Sequence, residues 1–396
     1  MSIVARAGWT VLAVLVLSAS VLVACGGEKK PSTKGPTGGE TVTIGFVGPL
    51  TGVAANLGVN IRDGVKVAVE EENEMGVGPR IALKEFDTGG DASQASRVKE
   101  SLVGDESVVG IVGPSFSGET RELIPALQQA GLVMITPSAT NTDLATVVPD
   151  AAVFHRVIGD DAFQAAGITE YLVKERPRTV AYVHDNSEYG KGLTDEVERL
   201  ATARGIAKAT SAAVDPTSQD LSATVAALKT ANPTTIFYGG YYDDAGRLKK
   251  QLIDAGVNAS FVSGDKSLDL GFVNAAGGDV WAEGARLTCA CNLAFETAKD
   301  KKLKTFHGTF KMKAGREPGV YSLEAYDAAK LLITGIKEGS KDRPALLKYV
   351  EELKTYKGIS KSIAFEPNGN LKTKSKFFVF QVKMGKIELL QEIKVA

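Results

Sequence analysis

The sequence predicts an α/β protein of two lobes, each built on a doubly wound parallel sheet. Three observations support this prediction. The chain has 396 residues, 44% of them hydrophobic, which is enough for a large core. Short β-branched runs alternate with longer stretches of helical periodicity, a pattern typical of parallel sheets wrapped by helices. The alternation occurs twice, which predicts two such units rather than one.

The first 24 residues are predicted to be a lipoprotein signal peptide, not part of the fold. Arg6 supplies a positive charge, and the run from Ala7 to Ala24 is uncharged and apolar. Small residues precede the lone Cys25, which resembles a bacterial lipobox, where the cysteine is acylated and becomes the mature N-terminus. Two acyl chains suffice for stable anchoring. The alternative is a single transmembrane anchor, because the run is near the lower length limit for a membrane span.

Residues 25–40 are predicted to be a flexible tether that begins at the lipidated cysteine. After Cys25 they consist mostly of glycine, proline, lysine and small polar residues, without apolar periodicity. Such a composition does not support a packed core. The folded part should therefore start near Thr41.

The secondary structure elements follow in the expected alternation. The first set comprises strands at 41–47, 80–86, 108–112 and 133–135, and helices at 60–73, 93–102 and 119–130. In the first of these helices, Ile61, Val65 and Ala68 recur at helical spacing. The second set comprises strands at 179–183 and 235–238, and helices at 193–204 and 221–230.

Polar residues follow five of the predicted strands, and ligands of such sheets bind outside the carboxyl ends of the strands. The five segments are 113–120, 136–140, 184–190, 238–242 and 263–265. They are expected to form two walls of a cleft. The segment at 113–120 leads into a helix, whose free N–H groups and positive dipole end suit a carboxylate. Considered by itself, this segment favours the alternative that Ser117 is a simple helix cap.

Four segments resemble the periplasmic branched-chain amino acid-binding proteins, the leucine/isoleucine/valine family with the type I periplasmic fold. They are 44–52 (IGFVGPLTG), 133–140 (VMITPSAT), 183–190 (VHDNSEYG) and 238–241 (YGGY). The likeness extends from about Thr41 to the C-terminus. It implies two lobes joined by a three-crossover hinge. Lobe 1 would hold residues 41–158 plus 289–375, and lobe 2 would hold 159–288 plus 376–396.

The resemblance also implies roles for individual residues. Ser117, Ser138 and Thr140 match the positions that hold the ligand carboxylate. Asp265 matches the acidic residue that meets the ligand ammonium, although it is one methylene shorter than the usual glutamate. Tyr189 and Tyr241 match tyrosines of the far lobe, and Tyr321 matches a further aromatic residue. Leu57 stands at a position where the family has an aromatic residue that contacts the ligand side chain.

The resemblance implies an extracytoplasmic solute-binding lipoprotein, expected to be monomeric, that delivers an aliphatic amino acid to the permease of an ABC importer. It would be held on the outer face of the cell membrane by its lipid. Two alternatives stay open. The protein could present its ligand to a membrane receptor as a sensor, or the ligand could be a small amide or an aromatic acid.

Other function classes are disfavoured. The formal net charge is −1, without a basic patch for nucleic acid. The three histidines, His155, His184 and His307, lack metal spacing, and no nucleophile-elbow sequence is present. We therefore expect no enzyme activity, no cofactor and no metal.

Cys289 and Cys291 are separated by one residue in a predicted strand, so both should face the same side. The simpler interpretation is two small, half-buried side chains, because a disulfide across one residue would be strained. The alternative is an oxidised pair, which an extracytoplasmic compartment would permit.

Overall fold

The computed structural model describes residues 40–150, 152–293, 295, 299–373 and 376–395. The predicted signal peptide, Cys25 and the tether up to residue 39 lie outside the described residues. Two large sheets form the framework of the folded part. The first has five parallel strands in the order β2-β1-β3-β4-β5. Its strands are β1 (Thr41–Gly48), β2 (Arg80–Asp87), β3 (Val108–Val112), β4 (Val133–Thr136) and β5 (Phe154–Arg156).

The second sheet has seven strands in the order β14-β13-β10-β9-β8-β6-β7. They are β6 (Thr179–His184), β7 (Ala207–Ala213), β8 (Thr235–Gly239), β9 (Ser260–Ser263), β10 (Arg286–Cys289), β13 (Phe377–Lys383) and β14 (Lys386–Ile393). The strands β6 to β10 pair in parallel, whereas β13 and β14 add an antiparallel edge. A small two-stranded ladder joins β11 (Tyr356–Lys357) and β12 (Ser362–Ile363).

Twelve α-helices lie in the part of the chain that the structure describes. They are α1 (Ala55–Met75), α2 (Ala92–Gly104), α3 (Ser117–Gln129), α4 (Asp161–Glu175), α5 (Glu188–Ala203), α6 (Ser222–Ala231), α7 (Tyr242–Asp254), α8 (Leu270–Ala275), α9 (Asp279–Ala282), α10 (Lys301–Ala314), α11 (Ser322–Lys337) and α12 (Arg343–Glu351). Short 3₁₀ turns cover Thr142–Thr146 and Asp265–Ser267. None of these helices is both long and apolar enough to cross a membrane.

The first sheet buries both of its faces, as the near-continuous apolar runs of its strands require. Adjacent residues of β1 show this alternation. Phe46 belongs to the core cluster that includes residues of α1 and α11, whereas Val47 belongs to a separate cluster with Leu123 of α3. Helices therefore cover the sheet on two sides, and the predicted doubly wound arrangement is confirmed for this lobe.

The chain passes between the two sheets three times, which gives two lobes. It leaves the first sheet after β5 and enters the second through α4 and β6. After β10 it returns to the first lobe, where α11 packs on α1 and α12 packs on β3. It then crosses back to add β13 and β14 to the second sheet. The predicted fold class is therefore confirmed.

The two largest differences from the predicted helix starts are in α1 and α5, which both begin earlier than the sequence pattern predicts. The helix α1 starts at Ala55 instead of residue 60, and its N-cap Ala54 makes no side-chain cap, so no capping signal marked this start. The helix α5 starts at Glu188 instead of residue 193, because the Ser187 hydroxyl accepts a hydrogen bond from the N–H of Gly190 at 2.8 Å. Tyr189 therefore lies in the first turn of a helix and not in a loop.

The simpler interpretation of the two cysteines is wrong. Cys289 and Cys291 form a disulfide, and both are buried rather than half-buried. Cys289 ends β10, and the chain bends at Cys291. The two residues therefore do not both lie in an extended strand, which was the assumption behind the expected strain.

Candidate functional site

The polar residues that follow β3 and β4 are packed together in the first lobe. The Ser138 hydroxyl donates a hydrogen bond to the carbonyl of Ser115 at 2.6 Å. The Ser117 hydroxyl, at the first residue of α3, accepts a hydrogen bond from the N–H of Asn141 at 3.2 Å. These cross-links hold the two strand-end loops side by side, as expected for neighbouring parallel strands.

A buried arginine fixes the second of these loops. Nη1 of Arg156 donates to the carbonyls of Thr140 at 3.0 Å and Asn141 at 2.9 Å, and Nε donates to Oδ1 of Asn370 at 2.7 Å. Arg156 is fully buried at the end of β5. The loop that carries Ser138 and Thr140 is therefore held by a charged group that makes several hydrogen bonds at once.

The second lobe contributes a tyrosine and an aspartate that are hydrogen-bonded to each other. The Tyr189 hydroxyl donates to Oδ1 of Asp265 at 2.7 Å and accepts from the backbone N–H of Lys266 at 3.4 Å. The Tyr241 ring lies 5.8 Å from the Tyr189 ring and 4.7 Å from the ring of Phe116, between centroids. Because Phe116 belongs to the first lobe, the two walls meet at this aromatic contact.

Lys266 connects the two walls more directly. Its Nζ donates hydrogen bonds to the carbonyl of Ser138 and, at 3.2 Å, to the hydroxyl of Tyr321. The side chain is fully buried. A salt bridge also joins the lobes, between Nη2 of Arg121 and Oε1 of Glu188 at 2.6 Å.

Three buried carboxyl groups lie around Lys266, those of Asp161, Asp265 and Glu119. Burial raises the pKa of Asp161 to about 8, with a further contribution from the negative charge of Asp265. Burial also raises the pKa of Glu119 to about 7, although hydrogen bonds from Thr88 and from the Phe116 backbone oppose this rise. The site is therefore acidic and dry, and part of its negative charge is suppressed by protonation near neutral pH.

Seven of the eight predicted ligand contacts lie in this region. The structure connects them by hydrogen bonds, ring contacts or close loop packing: Ser117, Ser138, Thr140, Tyr189, Tyr241, Asp265 and Tyr321. Leu57 is buried in the hydrophobic core on α1, and its predicted ligand role stays a prediction.

The sequence pattern did not identify three residues of the site: Phe116, Asp161 and Lys266. Phe116 lies inside a predicted strand-end segment, and Lys266 directly follows another, so the strand-end signal was available for both. A lysine beside an aspartate is usually a solvated side chain, however, and its burial depends on tertiary packing. Asp161 lies in the first turn of α4, and no strand end was predicted directly before this helix.

The histidines and acidic residues of the described segments form no cluster suited to a metal ion. His155 packs edge-on against Phe365 with ring centroids 4.6 Å apart, and Nδ1 of His184 accepts a hydrogen bond from the N–H of Asn186 at 3.1 Å. Both are held in local structural contacts.

Comparison with known proteins agrees with this geometry. A family model described as "Periplasmic binding protein" matches residues 41–386, from the first residue of β1 to the first of β14. The chain belongs to the periplasmic binding protein family. This membership places it among extracytoplasmic substrate-binding proteins of transport systems.

Among the relatives of this periplasmic binding protein is the Leu/Ile/Val-binding protein homolog 3 of Brucella melitensis. It is 31% identical over 354 residues, which cover 87% of this chain and 92% of the relative. A leucine-, isoleucine-, valine-, threonine- and alanine-binding protein of Pseudomonas aeruginosa is 29% identical, over 84% of this chain and 88% of its own. A branched-chain amino acid transporter substrate-binding protein of Streptococcus pneumoniae, solved with isoleucine, superposes with a TM-score of 0.81 at 24% identity, covering 89% and 99% of the chains.

Proposed function

We propose that this periplasmic binding protein captures an aliphatic, branched-chain amino acid between its lobes and delivers it to the permease of an ABC importer. One observation carries the proposal. The carboxyl ends of the two parallel sheets converge on a single buried cluster that contains both hydroxyl donors and a carboxylate. A zwitterionic ligand with a short apolar side chain fits this chemistry, because each of its charged ends requires a partner once water is excluded.

The first lobe would hold the ligand carboxylate. Ser117 begins α3, so its hydroxyl and the free N–H groups of the first helical turn lie together at the positive end of the helix dipole. The buried hydroxyl of Thr140 follows β4 in the adjacent loop and has no hydrogen-bond partner of normal geometry among the described residues. The hydroxyl of Ser138, in the same loop, already donates to the Ser115 carbonyl, so Ser138 would contribute by positioning this loop. Donors on two neighbouring strand ends can bind the two carboxylate oxygens separately.

Asp265 would meet the ligand ammonium. It is fully buried, and Tyr189 satisfies Oδ1 of its carboxylate. The other oxygen, Oδ2, has no hydrogen-bond partner of normal geometry among the described residues. A buried carboxylate oxygen in this situation has a strong preference for a cationic donor. The names of the relatives, which refer to leucine, isoleucine and valine, support the same ligand class.

Binding would couple to a hinge motion of the lobes, with boundaries near residues 158, 288 and 375. The ligand would dock on the Ser117 and Thr140 loops first, and the tyrosines of the second lobe would then close over it. The closed shape would be recognised by the permease. The chain would act as a monomer, anchored through acylated Cys25 to the outer face of the cell membrane, and without catalytic activity.

A thermal unfolding screen of the twenty amino acids tests this proposal. A ligand that binds only the folded state should add about 2.7 kcal/mol at a free concentration of a hundred times its dissociation constant. Leucine, isoleucine or valine should give the largest shift. An unchanged melting temperature with all twenty amino acids would show that the ligand class is wrong.

A further inference from the structure

The side chain of Lys266 takes part in the site in a way that the family resemblance did not indicate. Lys266 directly follows Asp265, in the 3₁₀ turn after β9, and its exposed fraction is 0%. Its ammonium donates to the Ser138 carbonyl and to the Tyr321 hydroxyl. A second-lobe side chain thus ends on the first-lobe loop that is proposed to hold the ligand.

Aromatic faces complete the surroundings of this ammonium. Nζ of Lys266 lies 4.7 Å from the ring centroid of Tyr189, 4.9 Å from that of Tyr321 and 5.9 Å from that of Phe116. Cation–π contacts of this kind are strongest when the cation is desolvated, and similar arrangements of rings recognise ammonium ligands. The arrangement therefore has the form of an ammonium-binding site, and an ammonium group of the chain itself occupies it.

The charged groups around Lys266 also favour an ammonium at this position. Burial lowers the pKa of Lys266, and the negative charges of Asp265, Asp161 and Glu119 oppose that shift. A buried lysine without such partners would carry a large desolvation cost. The carboxylate of Asp265, next to Lys266 in the sequence, therefore compensates part of the lysine charge before any ligand is considered.

We propose that Lys266 is a specificity-determining residue, which supplies a cation from the chain itself within the buried cluster that contains Asp265. The site would therefore also take carboxylates that lack an α-ammonium, in particular the 2-oxo acids with aliphatic side chains. The inference rests on the proposed function only in placing the ligand in this cluster. A 2-oxo acid leaves the Lys266 ammonium in place and adds a negative charge next to it. An amino acid brings a second ammonium, which must share Asp265 with Lys266 or displace it.

Calorimetric titration of the wild type, Lys266→Met and Lys191→Met with leucine and with its 2-oxo acid, 4-methyl-2-oxopentanoate, tests the inference. Methionine retains the length of the side chain and removes its charge. Lys191 is the matched control, because its side chain is 57% exposed on α5. The wild type should bind the 2-oxo acid. In Lys266→Met the ratio of leucine affinity to 2-oxo acid affinity should rise by about tenfold or more, because the Lys266 charge attracts the carboxylate of both ligands but repels the ammonium of leucine only. The control should leave the ratio unchanged.

The outcomes separate this inference from the proposed function. Leucine binding with an unchanged ratio in Lys266→Met would overturn the role of Lys266 and leave the importer proposal intact. Binding of the 2-oxo acid but not of leucine, lost in Lys266→Met, would support Lys266 and overturn the amino acid as ligand. If the wild type does not bind the 2-oxo acid, the inference is wrong. This measurement needs no variant, so the inference can be tested even if Lys266→Met does not fold.

Discussion

The Tyr189 hydroxyl donates a hydrogen bond of 2.7 Å to Oδ1 of Asp265, and both residues are fully buried. Tyr189 belongs to the first turn of α5 and Asp265 to the turn after β9, so the bond joins two strand ends of the second sheet. It leaves Oδ2 as the oxygen available to a cation from the ligand or from the chain.

Removing the charge of Asp265 should weaken amino acid binding. Asp265→Asn keeps the shape of the side chain, and the loss of one partner of a buried charge pair should cost about 2–5 kcal/mol of binding free energy. Calorimetric titration with leucine measures the effect. Asp195→Asn, at a side chain that is 57% exposed on α5, is the matched control and should bind like the wild type. Equal leucine affinity of Asp265→Asn and the wild type would show that Asp265 does not contact the ligand ammonium.

Asp161 should make the stability of the protein depend on pH. Its pKa is raised in the folded state to about 8, above the usual value of 3.8, so the folded protein retains a proton that the unfolded chain has lost between these pH values. The stabilising contribution of Asp161 is complete below the pKa that it has in the unfolded chain. This contribution is lost as the pH rises through the pKa that Asp161 has in the folded protein. In that window the free energy of unfolding contributed by this group falls by about 1.4 kcal/mol per pH unit.

Asp161→Asn removes this dependence. Urea unfolding at pH 5, 6, 7 and 8 should show the variant gaining stability relative to the wild type as the pH rises. Asp195→Asn, exposed to solvent, should not gain in this way. Parallel pH profiles for Asp161→Asn and the wild type would mean that Asp161 is ionised in the folded protein.

Arg156 should stabilise the fold through the Thr140 loop. Arg156→Met leaves the carbonyls of Thr140 and Asn141 without this buried donor, and each unsatisfied carbonyl should cost about 1–3 kcal/mol of unfolding free energy. The control Arg199→Met removes a side chain that is 63% exposed and should change stability by less than about 0.5 kcal/mol. Similar urea midpoints for the two variants would contradict the positioning role of Arg156.

Cys25 should determine membrane attachment. Cys25→Ala removes the acylated sulfur, so the protein should appear in the extracytoplasmic soluble fraction or remain unprocessed. Cell fractionation and labelling with a radioactive fatty acid measure the two effects. A Cys25→Ala protein that is processed, labelled and membrane-bound like the wild type would contradict the lipid anchor.

The sequence predicted the architecture because it is encoded locally. Apolar strand runs such as Val108–Val112 alternate with amphipathic helices, and this period defines parallel sheets covered on both faces. The strand ends then predicted residues that do meet in the buried cluster between the lobes, since the carboxyl ends of parallel strands meet at one edge. Ser117, Ser138 and Asp265 were found in this way and through the family likeness.

The missing parts depend on contacts between distant segments. Lys266 is a site residue because its side chain reaches Ser138, which is 128 positions away in sequence. Arg156 fixes the Thr140 loop partly through Asn370, which is 214 positions away. Neither contact has a signature in local hydrophobicity or in turn chemistry. The early start of α1 was missed for another reason, because its N-cap is an alanine and gives no capping signal.

A crystal structure of the protein with leucine bound is the decisive test of the proposed site. We expect the leucine carboxylate within hydrogen-bond distance of the Ser117 hydroxyl and of the Ser138–Thr140 loop, with the ammonium beside Oδ2 of Asp265 and the side chain against Tyr189 and Tyr241. Leucine bound elsewhere, for example in the cavity of about 290 Å³ lined by Tyr171 and Arg286, would contradict it. Leucine bound in the interlobe cluster with its ammonium away from Asp265 would also contradict the proposed site.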